Sequence, residues 1–214
     1  MIGIKVPATS ANLGSGFDSL GIALKWYNYV WVQRSDRTEI LTKDGTKLAQ
    51  ESENLVYRAA KFVYQICGET MPPLKIIQEN NIPMARGMGS SSACIAAGIT
   101  AANELLNKPF CMEDLLNFAC EIEGHPDNTT PALLGGLTVS AVDNGKVYSA
   151  AMQVAEKFRF ALLIPDFQLK TERSRAALPE KYSKQDAVYN LSRSALMAAS
   201  LTGGKAENLR VAVQ

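Results

Sequence analysis

The first half of the chain combines short β-type segments with one clear helical repeat. Residues 2–6 are apolar, and residues 26–32 are rich in aromatic and β-branched side chains, so both segments predict strands. Residues 54–66 carry apolar side chains at helical spacing and stop shortly before Gly68, which predicts a helix with a C-terminal glycine. Residues 74–78 again predict a strand. The order of these elements does not follow a regular βαβ alternation.

The next segments predict two helices and a hairpin. A long helix of small residues is predicted at 90–106 and another at 113–122. Residues 136–142 and 146–151 predict two strands joined by Asp143-Asn144-Gly145, because Asn-Gly is typical of a tight hairpin turn. We expect the first domain to end here, so that it spans residues 1–152.

The last segment predicts one strand and several helices. Residues 158–164 are apolar and end at Pro165, while 173–178, 186–201 and 206–213 have helical patterns. One strand cannot form a sheet by itself, so we expect residues 153–214 to be the incomplete beginning of a second domain. A helical appendage is the alternative.

Composition and charge exclude several classes of protein. The chain has 214 residues, of which 47% are hydrophobic, so disordered and fibrous proteins are excluded. Its net charge of +1 gives no reason to expect a nucleic acid or a membrane as partner. The N-terminus lacks a signal-peptide pattern, and no apolar run of about 18 residues occurs. We interpret the protein as soluble and cytoplasmic.

The cysteines show neither a zinc-binding nor a redox spacing. Cys67, Cys94, Cys111 and Cys120 are far apart in sequence, and His125 is the single histidine. We therefore expect reduced and mostly buried thiols rather than a disulfide framework.

The strongest chemical signal is a run of glycine and serine, Gly87-Met88-Gly89-Ser90-Ser91-Ser92, directly before an apolar helix. Glycines let the backbone approach an anion, and the first helical turn offers N–H groups and hydroxyls, so the run predicts a phosphate site. An ordinary flexible turn with a serine cap is the competing interpretation. The run matches neither the Walker loop nor the dinucleotide fingerprint.

Two further polar segments interrupt apolar sequence, at residues 7–18 and 121–128. Four of their short polar side chains suit a polyol or an amino group, namely Asn12, Asp18, Asp127 and Asn128. The carboxylate of Glu123 suits magnesium. Because Asn and Asp also favour turns, a purely structural role is the alternative for each segment.

Together the three segments resemble the GHMP kinase superfamily and, within it, the homoserine kinase family. Residues 7–17, 83–93 and 121–136 carry the resemblance, with Met88 where the family usually has leucine. The resemblance implies an α+β fold of two domains, the first similar to ribosomal protein S5 domain 2 and the second ferredoxin-like. It also implies that the third glycine-rich motif of the family, near its C-terminus, is missing here, so that this chain alone would be inactive.

The resemblance further implies ATP-dependent phosphorylation of L-homoserine with Mg²⁺, on the route to threonine. The implied magnesium ligands are Ser91 and Glu123, with Glu121 as the competing carboxylate, and Asp18 is the candidate base. The implied ATP-binding residues are Pro83, Met84, Ala85, Arg86, Gly87, Met88, Gly89, Ser90, Ser91, Ser92 and Ala93. The implied homoserine-binding residues are Asn12, Asp18, His125, Asp127, Asn128, Thr171 and Arg175.

Two alternatives belong to other functional classes. A GHMP kinase for mevalonate or a sugar would need a pocket without charged anchors for an amino acid. A non-catalytic module would bind ATP without turnover. The unpaired strand edge expected at residues 158–164 would be covered by a homodimer or tolerated as local disorder.

Overall fold

The described part of the chain, residues 1–164 and 178–214 of a computed structural model, is a sheet covered by helices. Its strands are β1 (Ile2–Ala11), β2 (Leu20–Arg34), β3 (Glu39–Thr42), β4 (Leu74–Glu79), β5 (Leu137–Asp143) and β6 (Lys146–Met152). Its helices are α1 (Leu55–Ile66), α2 (Ser90–Leu105), α3 (Met112–Glu123), α4 (Pro126–Leu134), α5 (Lys184–Gly203) and α6 (Ala206–Ala212), besides a 3₁₀ turn at Glu51–Glu53.

The long strand β2 is the centre of the sheet. It pairs antiparallel with β1 along nearly its whole length, with a register shift between Pro7 and Ala8. Residues 29–34 of β2 also pair with β4, and residues 20–22 pair with β5. The sheet is completed by β3, which runs parallel to β4, and by β6, which forms a hairpin with β5. Each of the other described strands therefore pairs either with β2 or with a strand that itself pairs with β2.

Most elements predicted from periodicity are confirmed. Each of the helices α1, α2, α3, α5 and α6 agrees with its predicted segment to within a few residues. The hairpin β5–β6 is confirmed too, with Asn144 and Gly145 at φ values of 49° and 78°, as a tight turn of this kind requires. Both β1 and β2 are longer than predicted, because residues 8–11 of β1 also pair with residues 21–24 of β2.

The strand predicted at 158–164 is wrong. Residues 153–164 contain no strand, and residues 159–164 are exposed. An apolar segment becomes a strand only where a neighbouring strand accepts its hydrogen bonds, and the described residues provide none at this place. The predicted helix at 173–178 lies, except for Leu178, outside the described residues.

Two apolar clusters hold the helices to the sheet. The larger one packs α1 to α4 against β1, β2 and β4. The smaller one joins Leu20, Ile22 and Leu137 of the sheet to Met197 and Leu201 of α5. Consecutive strand residues face opposite sides, so Leu20 and Ile22 point to α5 while Gly21 points to α4. Among the helices described, none has the length and the apolar character that crossing a bilayer requires.

Candidate active site

The segment before α2 forms a tight loop that ends at the N-terminus of this helix. Ala85, Gly87 and Gly89 all have positive φ, at 54°, 71° and 65°. Gly89 is the N-cap, and its carbonyl accepts the first helical hydrogen bond, from Ala93 N at 2.9 Å. The N–H groups of the first turn precede that bond and have no carbonyl partner within the helix. The helix dipole adds positive charge at the same place, so the loop can bind an anion.

Two serines of that turn bind the carboxylate of Glu123. Ser91 Oγ donates to Glu123 Oε2 at 2.9 Å, and Ser92 Oγ donates to Oε1 at 3.0 Å. Ser92 is fully buried, whereas Ser91 is exposed. Glu121 is exposed and lies two residues away on α3, which is roughly 200° around the helix. The geometry therefore favours Glu123 over Glu121 as a partner of the loop.

Helix α4 lies unusually close to the sheet, and Gly21 of β2 allows this. A Cβ at position 21 would lie 1.8 Å from the Asp127 carbonyl oxygen and 2.8 Å from Cγ of Pro131. The helix begins with Pro126 at its first position, where a proline is well accommodated. The sequence pattern predicts only a polar segment here and does not indicate the helix. The close packing buries Asp127 to 2% exposure beneath the site.

The polar segments 7–18 and 121–128 meet in one cluster. His125 Nδ1 lies 2.6 Å from Asp127 Oδ1, and one ligand atom from each of Asp18, His125 and Asp127 lies within 4.8 Å of the others. Asn12 Oδ1 accepts a hydrogen bond from Asp18 N at 3.1 Å, across a turn in which Asn12 and Asp18 both have positive φ. Two carboxylates beside an imidazole present acceptors that suit an ammonium or hydroxyl group.

Thr9 joins this cluster to the anion-binding loop. Its hydroxyl donates to Asn128 Oδ1 at 2.7 Å, and its backbone N–H donates to the Met88 carbonyl at 3.1 Å. A Cβ at Gly89 would lie 1.9 Å from Thr9 Oγ1, so the glycine is needed for this approach. The sequence does not single out Thr9, which is one of several small polar residues in the segment 7–18.

The thiols near the site are held in the neutral form. Burial, together with the charge of Glu123, raises the pKa of Cys94 to about 11. Burial also raises the pKa of Cys120, with smaller contributions from Asp127 and Asp18. All four cysteines are free. At neutral pH neither Cys94 nor Cys120 is a thiolate, so neither is suited to nucleophilic chemistry.

The structure thus gathers many of the predicted site residues into two groups. One group consists of Asn12, Asp18, His125, Asp127 and Asn128. Thr9 connects this group to the loop at 83–89. Ser91, Ser92 and Glu123 form a second group at the start of α2. Thr171 and Arg175, predicted to bind the substrate, lie outside the described residues.

The sequence of this chain is similar to the sequences of known proteins. Residues 54–136 match the family described as GHMP kinases N terminal domain. The chain is 42% identical, over 98% of its length and 72% of the relative's, to the homoserine kinase of Clostridium acetobutylicum. It is 44% identical to the homoserine kinase of Caldicellulosiruptor bescii, over 100% of this chain and 70% of the relative.

Solved structures show the same fold. The homoserine kinase of Cytophaga hutchinsonii superimposes with a TM-score of 0.82 at 26% identity, over 99% of this chain and 71% of that one. A Streptococcus pneumoniae phosphomevalonate kinase superimposes with a TM-score of 0.74 at 10% identity, over 99% of this chain and 78% of that one. The second likeness concerns the fold alone.

Proposed function

The chain belongs to the homoserine kinase family of the GHMP kinases, and from this premise we propose that its polar segments form one site for phosphoryl transfer. The reaction moves the γ-phosphoryl group of ATP to the side-chain hydroxyl of L-homoserine and yields O-phospho-L-homoserine. The observation that carries the proposal is the contact of Thr9 with both the anion-binding loop and Asn128. This contact supports the proposal because it joins the loop that is suited to an anion to the cluster that is suited to an ammonium group.

We assign the ATP phosphates to the start of α2. The backbone N–H groups of Ser90, Ser91 and Ser92 would bind phosphate oxygens, and Gly87 and Gly89 allow the loop to approach them. Such positioning is the main contribution of a protein to phosphoryl transfer. The remaining residues at 83–93 would shape the nucleotide site.

The Ser91 and Glu123 side chains fit a magnesium ion. A carboxylate and a hydroxyl are hard oxygen donors, and here they lie within 2.9 Å of each other beside the proposed phosphate site. When bound, Mg²⁺ supplies charge neutralisation of the phosphates. Ser92 fixes the other carboxylate oxygen of Glu123 and so limits the orientations available to this side chain.

We assign homoserine to the cluster around Asp127. Asp18 or Asp127 would bind its ammonium or hydroxyl group, while Asn12, His125 and Asn128 complete the polar wall. Asp18 is the candidate acceptor of the hydroxyl proton. Arg175 and Thr171 are predicted partners of the substrate carboxylate.

A coupled assay of ADP release by the full-length protein tests the function. We expect Mg²⁺-dependent turnover with homoserine and little turnover with serine, mevalonate or galactose. Preferred phosphorylation of mevalonate or galactose would reject the substrate assignment. ATP binding without turnover of any of the four would favour a non-catalytic module. A homodimer and a cytoplasmic location stay predictions.

A further inference from the structure

We propose that the Thr9 hydroxyl is a positioning group for homoserine binding, which acts by orienting the Asn128 side chain. The inference rests on the proposed function, because it assigns Asn128 to the homoserine site. Thr9 itself need not touch either substrate. Its role follows from three contacts, with Asn128, with Met88 and with Gly89.

The contact with Asn128 decides which way its amide points. Thr9 is fully buried, and its hydroxyl donates to Asn128 Oδ1 at 2.7 Å. With the oxygen held there, the amide nitrogen turns toward Asp127 Oδ1, at 3.4 Å. An Asn side chain rotates easily about its last bond, so an unheld amide would sample other orientations. The hydroxyl therefore keeps the amide donor on the side of the Asp18–His125–Asp127 cluster.

Thr9 also contacts the loop before α2, and these contacts fix the distance between the Thr9–Asn128 hydrogen bond and the proposed phosphate site. Thr9 N–H holds the Met88 carbonyl at 3.1 Å, and the side chain fills the space beside Gly89. The loop is therefore held by the backbone of Thr9, whereas Asn128 is held by its hydroxyl. Replacing only the hydroxyl separates the two effects, and we expect homoserine affinity to suffer much more than ATP affinity.

Thr138 provides a matched control. It is also a fully buried threonine in the same sheet, and its hydroxyl donates to the Gly21 carbonyl at 3.3 Å. Thr138→Val and Thr9→Val both remove one hydroxyl from a buried strand position. Only the Thr9 variant removes a partner of a proposed substrate-binding side chain.

The test measures homoserine and ATP affinities by calorimetry, and steady-state kinetics, in the full-length protein. For Thr9→Val we expect about a tenfold weaker homoserine affinity, since the part-buried amide oxygen of Asn128 loses its donor. We expect ATP affinity within about twofold of wild type. Thr9→Ser should restore homoserine affinity because it keeps the hydroxyl. Thr138→Val should match wild type in both affinities.

A double-mutant cycle separates positioning from general destabilisation. If Thr9 acts through Asn128, Thr9→Val should have little further effect on homoserine affinity once Asn128 is alanine. Additive effects, or equal homoserine affinities for Thr9→Val and Thr138→Val, would overturn the inference. Should Thr9→Val fail to fold, Thr9→Ala removes the same hydroxyl without placing a methyl group beside Gly89. A wild-type protein that does not bind homoserine would instead reject the proposed function.

Discussion

Ser91 and Glu123 are the side chains on which the proposed magnesium site depends. Ser91→Ala should lower Mg²⁺-dependent turnover by at least about tenfold, because it removes an oxygen donor beside the phosphates. The free energy of unfolding should change by less than about 0.5 kcal/mol, since Ser91 is exposed. Kinetics across a magnesium series and urea denaturation measure the two effects. Unchanged activity at saturating magnesium would remove Ser91 from the site.

The two acidic residues of α3 provide a matched pair of variants. Glu123→Gln keeps the shape of the side chain but removes its charge, so it should weaken magnesium activation. Glu121→Gln should behave like wild type, because Glu121 is exposed on another face of the helix. If Glu121→Gln is the damaging change, the ligand assignment is wrong by two residues.

The ionisation of Cys94 lowers the free energy of unfolding as the pH rises in the alkaline range. Its folded-state pKa is raised to about 11, mainly by burial, whereas a cysteine in an unfolded chain titrates near about 8.5. Between these values the unfolded state loses a proton that the folded state keeps, so stability falls as pH rises. We expect this fall to be shallower in Cys94→Ala. Urea denaturation between about pH 8 and 11 measures it, and identical slopes would contradict the expectation.

At the scale of elements, the packing of α4 on β2 determines where Asp127 lies. Gly21→Ala would place a Cβ 1.8 Å from the Asp127 carbonyl oxygen, which is backbone and can yield only if the helix moves. We expect a loss of about 1–3 kcal/mol in the free energy of unfolding, the usual cost of overpacking. Homoserine affinity should fall as well, because Asp127 and Asn128 move with α4.

Gly203 serves as the control for this glycine substitution. It lies in the last turn of α5, and a Cβ there would meet only Lys205 Cγ, at 4.0 Å. Gly203→Ala should therefore be neutral or stabilise the protein by up to about 1 kcal/mol, because alanine is the better helix former. If both variants were equally destabilised, the close approach of α4 would not be the cause.

At the scale of the whole molecule, helix α5 packs on the central sheet and attaches the C-terminal part of the chain to it. Met197 and Leu201 are buried against Leu20 and Leu137, so these helical residues contribute to the same core as β2 and β5. We propose that residues 1–152 form the first domain and that this contact couples it to residues 153–214.

The coupling predicts a single unfolding transition that responds to mutations in α5. Leu201→Ala should lower the free energy of unfolding by about 2–5 kcal/mol, the usual cost of truncating a buried leucine. Leu191→Ala on the same helix should change little, because Leu191 is 72% exposed. Hydrogen exchange of β2 and β5 provides the readout. Unchanged protection of these strands in Leu201→Ala would show that the two parts unfold independently.

The sequence by itself determined the elements whose signals are local. The apolar spacing of α1, α3 and α5, the Asn144-Gly145 turn and the glycine–serine run before α2 each depend on residues close together in the chain. Helix periodicity, turn chemistry and the first turn of a helix are short-range physics, so a single stretch of sequence is enough to predict them.

Only the tertiary structure decided the features that depend on contacts between distant residues. Thr9 and Asn128 are 119 positions apart, and Ser92 and Glu123 are 31 apart, so no local pattern indicates either hydrogen bond. Likewise α4 can pack closely on β2 because Gly21 has no side chain at the point of contact. Residues 158–164 form no strand, because no neighbouring strand in the described part of the chain pairs with them. Hydrogen-bond partners and packing space are properties of the folded chain, which explains why periodicity could not predict them.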